Sequence, residues 1–116
     1  LLSALSIEEH SLALSSWPGP VTWLVPNQGY FPAWVTGESN EVAIRVTSAP
    51  ALSSLCRELD SPVVTTSANW AGAQPAKHLF QVRRYFGSEI AVVPGDVDLA
   101  GKPSTIKRIK TGEVLR

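Results

Sequence analysis

The sequence predicts a mixed α/β fold, and three observations carry that reading. Residues 41–47 alternate with the period of a strand: Val42, Ile44 and Val46 fall on one face, and Ala43, Arg45 and Thr47 on the other. Residues 78–86 place Leu79, Val82 and Phe86 at helical spacing, with Gly87 to stop the helix. Pro62-Val63-Val64 is a short apolar run ending in Thr65-Thr66-Ser67-Ala68-Asn69, which reads as a buried strand with a polar end. The pattern switches between the two periods along 116 residues, a length that fits one domain.

Each element follows from a local signal. Ser6-Ile7-Glu8-Glu9 is a capping box, with serine at the cap and glutamate three residues on. It predicts a helix to about residue 15. Trp17-Pro18-Gly19-Pro20 ends that helix, because proline lacks a backbone N–H and restricts its predecessor. Residues 21–25 read as a strand. Residues 27–40 hold Gly29, Pro32 and Gly37 and read as a loop, packed down by Tyr30, Phe31 and Trp34. Pro50 suits the first turn of a helix running to about residue 59, with Cys56 as a small core residue. After the strand at 62–66 and the helix at 78–86 come a strand at 90–93 and a turn-rich loop at 94–101. Residues 104–110 and 113–116, joined at Thr111-Gly112, predict a hairpin.

Composition sets outer limits. Apolar residues make up 44% and charged residues 17%, as in a folded chain. No apolar run approaches the roughly 20 residues of a bilayer span. The first 14 residues lack a basic start and carry Glu8 and Glu9, so they do not read as a secretory leader. Cys56 is the single cysteine, which excludes an internal disulfide and a CxxC metal site. A cytoplasmic location is the simplest reading. The chain has no Met and opens on Leu1-Leu2-Ser3-Ala4, as a fragment of a longer protein would.

The net charge is zero, but unevenly spread. All ten basic residues lie from Arg45 onward. Lys102, Lys107, Arg108, Lys110 and Arg116 face only Glu113 near the end, a segment able to meet phosphate or to form a solvated strand face. Several chemistries lack their signature. There is no P-loop and no GxGxxG. His10, Cys56 and His78 are too scattered for zinc. Ser67, His78 and Asp96 could compose a triad, but no GxSxG surrounds Ser67. What remains is a kit for phosphate or carboxylate: Arg45, Ser67, Asn69, Ser104 and Arg116.

Four segments also match a family. Trp17-Pro18-Gly19-Pro20-Val21-Thr22, Glu41-Val42-Ala43-Ile44-Arg45-Val46, Val64-Thr65-Thr66-Ser67-Ala68-Asn69-Trp70-Ala71-Gly72 and Gly101-Lys102-Pro103-Ser104-Thr105-Ile106 stand in family order and at family-like spacing. Together they resemble the YrdC-like family, the threonylcarbamoyl-AMP synthases of bacterial tRNA modification. The resemblance runs from about residue 6 to the last residue and looks like the C-terminal two-thirds of a single-domain member. It implies an α/β fold in which a twisted mixed sheet with flanking helices surrounds a deep, positively lined cavity.

The resemblance implies a reaction too. Threonine, bicarbonate and ATP would yield threonylcarbamoyl-AMP and pyrophosphate, with ATP bringing Mg2+. The threonine amine takes up carbon dioxide as a carbamate, a carbamate oxygen attacks the α-phosphorus, and pyrophosphate leaves. Such chemistry needs no enzyme nucleophile; it needs two anions positioned and their charge compensated. By motif, Ser67 and Asn69 should contact ATP phosphates and Arg116 should reach the triphosphate. Arg45 should pair with the threonine carboxylate or an adjacent phosphate, Ser104 should hold threonine, and Thr47 is a candidate pocket wall. Thr22 reads as structural.

Departures from the family are visible. Ala49-Pro50 stands where many members have His-Pro, and Lys107 and Arg108 stand where members often carry Asp. The family's upstream Lys-x-Arg segment has no counterpart, so the 116 residues alone should have little or no synthase activity, whereas a parent carrying that segment should be active. Further partners implied are tRNA or double-stranded RNA and other tRNA-modification proteins. A non-catalytic RNA-binding module and a carbamoyl-transfer domain of the hydrogenase-maturation type are the competing readings.

Overall fold

Ser6 starts the first helix as the sequence predicts. Its hydroxyl accepts from the Glu9 N–H at 3.2 Å, and the Glu9 carboxylate accepts from the Ser6 N–H at 2.8 Å. This reciprocal pair satisfies two donors that a helix start would otherwise leave open. It launches α1 (Ile7–Ser16), which ends at the extended Trp17. The Glu8 carboxyl is held below its usual range, first by a backbone N–H at the helix start and then by Ser6.

The computed structural model describes residues 1–93, 95 and 101–116. Asp96 and most of the predicted loop at 94–101 lie outside the described residues. The chain divides into two units. Leu1–Ser53 with Pro103–Arg116 forms one, and Ser54–Lys102 forms the other.

The first unit is built on β1 (Val21–Pro26), the middle strand of a three-stranded sheet. β2 (Glu41–Ile44) pairs with it antiparallel, with Trp23 opposite Ile44. β3 (Thr105–Arg108) pairs with it parallel, with Thr22 opposite Ile106. One sheet face carries Trp23, Val25 and Val42, which form the core with Ala13, Trp17 and Ile109. Both buried indoles have partners: Trp17 Nε1–H donates to the Val21 carbonyl at 2.9 Å and Trp23 Nε1–H to Ser16 Oγ at 2.8 Å. Lys107 lies on the same face, its ammonium 6.0 Å from the Trp23 ring centre.

The expected loop at 27–40 contains a one-turn helix, α2 (Ala33–Thr36), closed by Gly37 at φ 63°. Of its aromatics only Phe31 packs against the core; Tyr30 and Trp34 are exposed, Trp34 by 81%. The strand expected at 41–47 stops at Ile44. Facing it, Pro20 has no N–H to offer, and the Gly19 N–H donates alone to the Val46 carbonyl at 3.0 Å. The predicted hairpin holds. After β3 the Gly112 N–H donates to the Arg108 carbonyl at 2.9 Å, and Val114 bridges back to Lys107.

α3 (Pro50–Glu58) begins in the first unit and ends in the second; α4 (Leu79–Phe86) lies wholly in the second. Gly87 closes α4 at φ 76°, in a region that only glycine adopts without strain. The strand expected at 62–66 is absent: the chain there pairs with no described segment, and Val64 is 70% exposed. The strand expected at 90–93 is absent for the same reason. A strand exists only when a neighbour takes its backbone donors and acceptors. Leu79 and Phe86, whose helical spacing suggested an inward face, are also exposed, and Cys56 is half-buried and free rather than a core residue. Among the described residues every fully buried apolar side chain belongs to the first unit. No described helix is long and apolar enough to cross a membrane.

Candidate functional site

In the first unit two of the candidate residues, Ser104 and Arg116, meet on the sheet face opposite the core. Pairing of Thr22 with Ile106 puts Thr22, Ser104 and Ile106 on one side of the sheet. The buried Thr22 hydroxyl donates to Ser104 Oγ at 2.9 Å. The hairpin returns the chain so that the Ile106 N–H donates to the Arg116 carbonyl at 3.0 Å. The Arg116 guanidinium then reaches Ser104: Nη2 donates to its carbonyl at 3.2 Å and to its hydroxyl at 3.4 Å, and Nε to the carbonyl at 3.4 Å. Ser104 and Arg116 are therefore brought together, with Thr22 as the residue that orients Ser104. The structural role expected of Thr22 is this bond.

Arg45 follows the last paired residue of β2, two positions beyond Ala43 on the same alternation. It is exposed and makes no hydrogen bond or ion pair with another described residue. An arginine that no described residue neutralises is available to an anion. Thr47 is engaged locally: its hydroxyl accepts from the Ala49 N–H at 3.1 Å and its carbonyl from Ser53 Oγ at 3.0 Å. It shapes the entry into α3.

Arg108 was not singled out by the site reading, yet it organises the other end of this face. Its Nε donates to both Glu41 oxygens, at 3.2 and 2.9 Å, and its Nη1 to Glu113. Hydrogen bonding to Glu41 pushes its pKa above the ordinary arginine value, with the charges of Glu41 and Glu113 adding. Arg108 is thus a neutralised cation, in contrast with Arg45. The signal was available: Glu113 and Arg108 flank the predicted hairpin turn.

Ser67 and Asn69 belong to the second unit. A tight turn joins them, with the Asn69 N–H donating to the Ser67 carbonyl at 3.0 Å. The Ala76 N–H closes the wider loop onto the Ala68 carbonyl at 2.9 Å. Ser67 is exposed, and its hydroxyl makes no hydrogen bond with another described residue. Asn69 Nδ2 donates to the Trp70 carbonyl at 2.9 Å, while Oδ1 is buried without a partner. A buried acceptor left open is costly, so this oxygen calls for an N–H or O–H donor. Ser67 and His78 make no hydrogen bond with each other. Among the described residues no three His, Cys, Asp or Glu side chains gather as metal ligands.

Comparison with known proteins places these residues in context. The Sua5_yciO_yrdC family, described as "Telomere recombination", matches residues 2–116. A threonylcarbamoyl-AMP synthase of Cellvibrio japonicus is 50% identical over 105 residues, covering 88% of this chain and 54% of that protein. One of Hahella chejuensis is 42% identical over 117 residues, covering 100% of this chain and 64% of that protein. The chain thus spans between half and two-thirds of the length of these relatives. Among solved structures, P. abyssi Sua5 complexed with L-threonine superposes with a TM-score of 0.84 at 26% identity, covering 97% of this chain and 34% of that one. With a family match over nearly its whole length and relatives this similar, the chain belongs to the Sua5_yciO_yrdC family.

Proposed function

We propose that this chain forms the larger part of a single-domain threonylcarbamoyl-AMP synthase acting in tRNA t6A modification. The reaction consumes L-threonine, bicarbonate and ATP and releases pyrophosphate. The observation that carries the reading is Ser104 held between the Thr22 hydroxyl and the Arg116 guanidinium, in a chain similar to named synthases.

The roles follow from the chemistry of each group. Arg45, unpaired, takes the threonine carboxylate, the one fixed anion of that substrate. Ser104 Oγ, already accepting from Thr22 and Arg116, turns its own hydrogen toward threonine. Arg116 keeps Nη1 free for the triphosphate. Ser67 Oγ and the second Nδ2 hydrogen of Asn69 donate to ATP phosphates. Thr47 serves as a wall through its turn. Mg2+ arrives on the ATP phosphates, in keeping with donor residues that are hydroxyls, amides and guanidiniums rather than carboxylates.

Catalysis is positioning plus charge compensation. The carbamate formed on the threonine amine carries a negative oxygen toward the α-phosphorus, and the fixed cations lower the repulsion between the two anions. A free cysteine agrees with a cytoplasmic location. The test is pyrophosphate release from ATP by the parent protein that carries the upstream Lys-x-Arg segment, measured with and without L-threonine and bicarbonate. Release that requires both, and falls at least tenfold in Arg45→Ala, is expected. Release indifferent to threonine would sink the proposal.

A further inference from the structure

The geometry points to a second ligand site: a pocket beside α4 that binds a nucleobase together with its phosphate. Trp70, Phe80, Gln81, Arg84 and Tyr85 line it, all within the second unit, around a volume of about 530 Å³. That lies in the size range of small-ligand sites. The site goes beyond the synthase reading, since none of these five residues has a part in it.

The rings are fixed and open. Trp70 Nε1–H donates to the Tyr85 carbonyl at 2.9 Å, and the Tyr85 hydroxyl donates to the Gln74 carbonyl at 3.1 Å. The two rings meet at 5.7 Å with a tilt of 41°. Phe80 stacks on His78 at 5.6 Å, only 8° from parallel. Yet Trp70 is 59% exposed and Phe80 70% exposed. Held rings with open faces are how single nucleotides are stacked, at little ordering cost.

The polar groups complete the match. Arg84 lies one helical turn from Phe80 and makes no hydrogen bond or ion pair with a described residue. Gln81 Oε1 accepts from the backbone N–H groups of Lys77 at 2.7 Å and His78 at 3.0 Å, which leaves its amide hydrogens for the pocket. Among the described residues no carboxylate lines the site. Flat π faces, a spare guanidinium and amide donors suit a planar ring that carries an anion. A free nucleotide and an unpaired nucleotide of an RNA strand share that chemistry.

The test uses the purified chain, a fluorescein-labelled oligouridylate followed by anisotropy, and UMP as competitor. Uridine ligands are chosen so that no ATP site is read. Phe80→Ala should weaken binding roughly fivefold to a hundredfold, the range for losing one stacked base. Arg84→Gln should weaken it too and flatten the log–log salt dependence by about 0.7. Both side chains are exposed, so neither change removes core packing. Displacement by UMP assigns the site to free nucleotides, and binding of the strand alone assigns it to RNA; either outcome supports the pocket. Absence of binding to both probes, or binding that both variants leave intact, overturns it. Threonine-dependent pyrophosphate release is a separate readout, so the two proposals fail separately.

Discussion

The bond between Thr22 and Ser104 can be measured as a coupling energy. Ser104→Ala strands the buried Thr22 hydroxyl, at a cost of about 1–3 kcal/mol. Thr22→Val replaces that hydroxyl by a methyl of similar size and loses a net contribution of about 1 kcal/mol, while Ser104 keeps Arg116 as a donor. The double variant loses the same bond only once and strands nothing. It should therefore be more stable than the sum of the single effects by about 1 kcal/mol. With an unfolding entropy of about 2.1 cal/mol/K per residue over 116 residues, that equals about 4 °C in Tm. Thermal melts of the four proteins by circular dichroism give the cycle. Shifts that add to within about 1 °C would show that the hydroxyls do not interact, and the orienting role of Thr22 would be wrong.

Other consequences are simpler to measure. Val25→Ala removes about two CH2 equivalents from a fully buried position and should cost about 2–3 kcal/mol once the cavity is included, read as a lower urea midpoint. The folded Glu8 carboxyl titrates below the ordinary carboxyl value of 4.5, so its stabilisation is present above that value and is lost as pH falls through the folded pKa. Paired melts of Glu8→Gln and the parent chain should accordingly differ at neutral pH and converge in strong acid. Arg108→Gln should lower the melting temperature only slightly, because the pair with Glu41 is 32% and 22% exposed and solvent screens it. That difference should shrink in high salt.

What the sequence revealed depends on how far apart the partners are. The Ser6–Glu9 box and the turn at Gly112 lie within a few residues of each other, and both are legible by eye. The strands at 62–66 and 90–93 were misread because an apolar run says nothing of its neighbour, and no described segment pairs with either. The site divides in the same way. Arg45, Ser104 and Arg116 are candidates that the sequence and the family resemblance both offer, but the bond from Thr22 to Ser104 crosses 82 residues and leaves no local trace. The pocket beside α4 was partly legible, since Phe80 and Arg84 sit at i and i+4 of a predicted helix. Its Trp70 face was not, because the indole is turned by a hydrogen bond 15 residues away.

The first unit is discontinuous along the chain, and synthesis must respect that. β1 and β2 leave the ribosome early, but their parallel partner and the buried Ile109 follow only after the whole of Ser54–Lys102. Until then β1 lacks β3 along one edge, and of the described sheet only the β1–β2 ribbon can form, a pairing marginal by itself in water. Residues 103–116 therefore act as a keystone: the hydrophobic interior of the first unit closes only once they have emerged, and before that the nascent chain offers chaperones an open strand edge to hold.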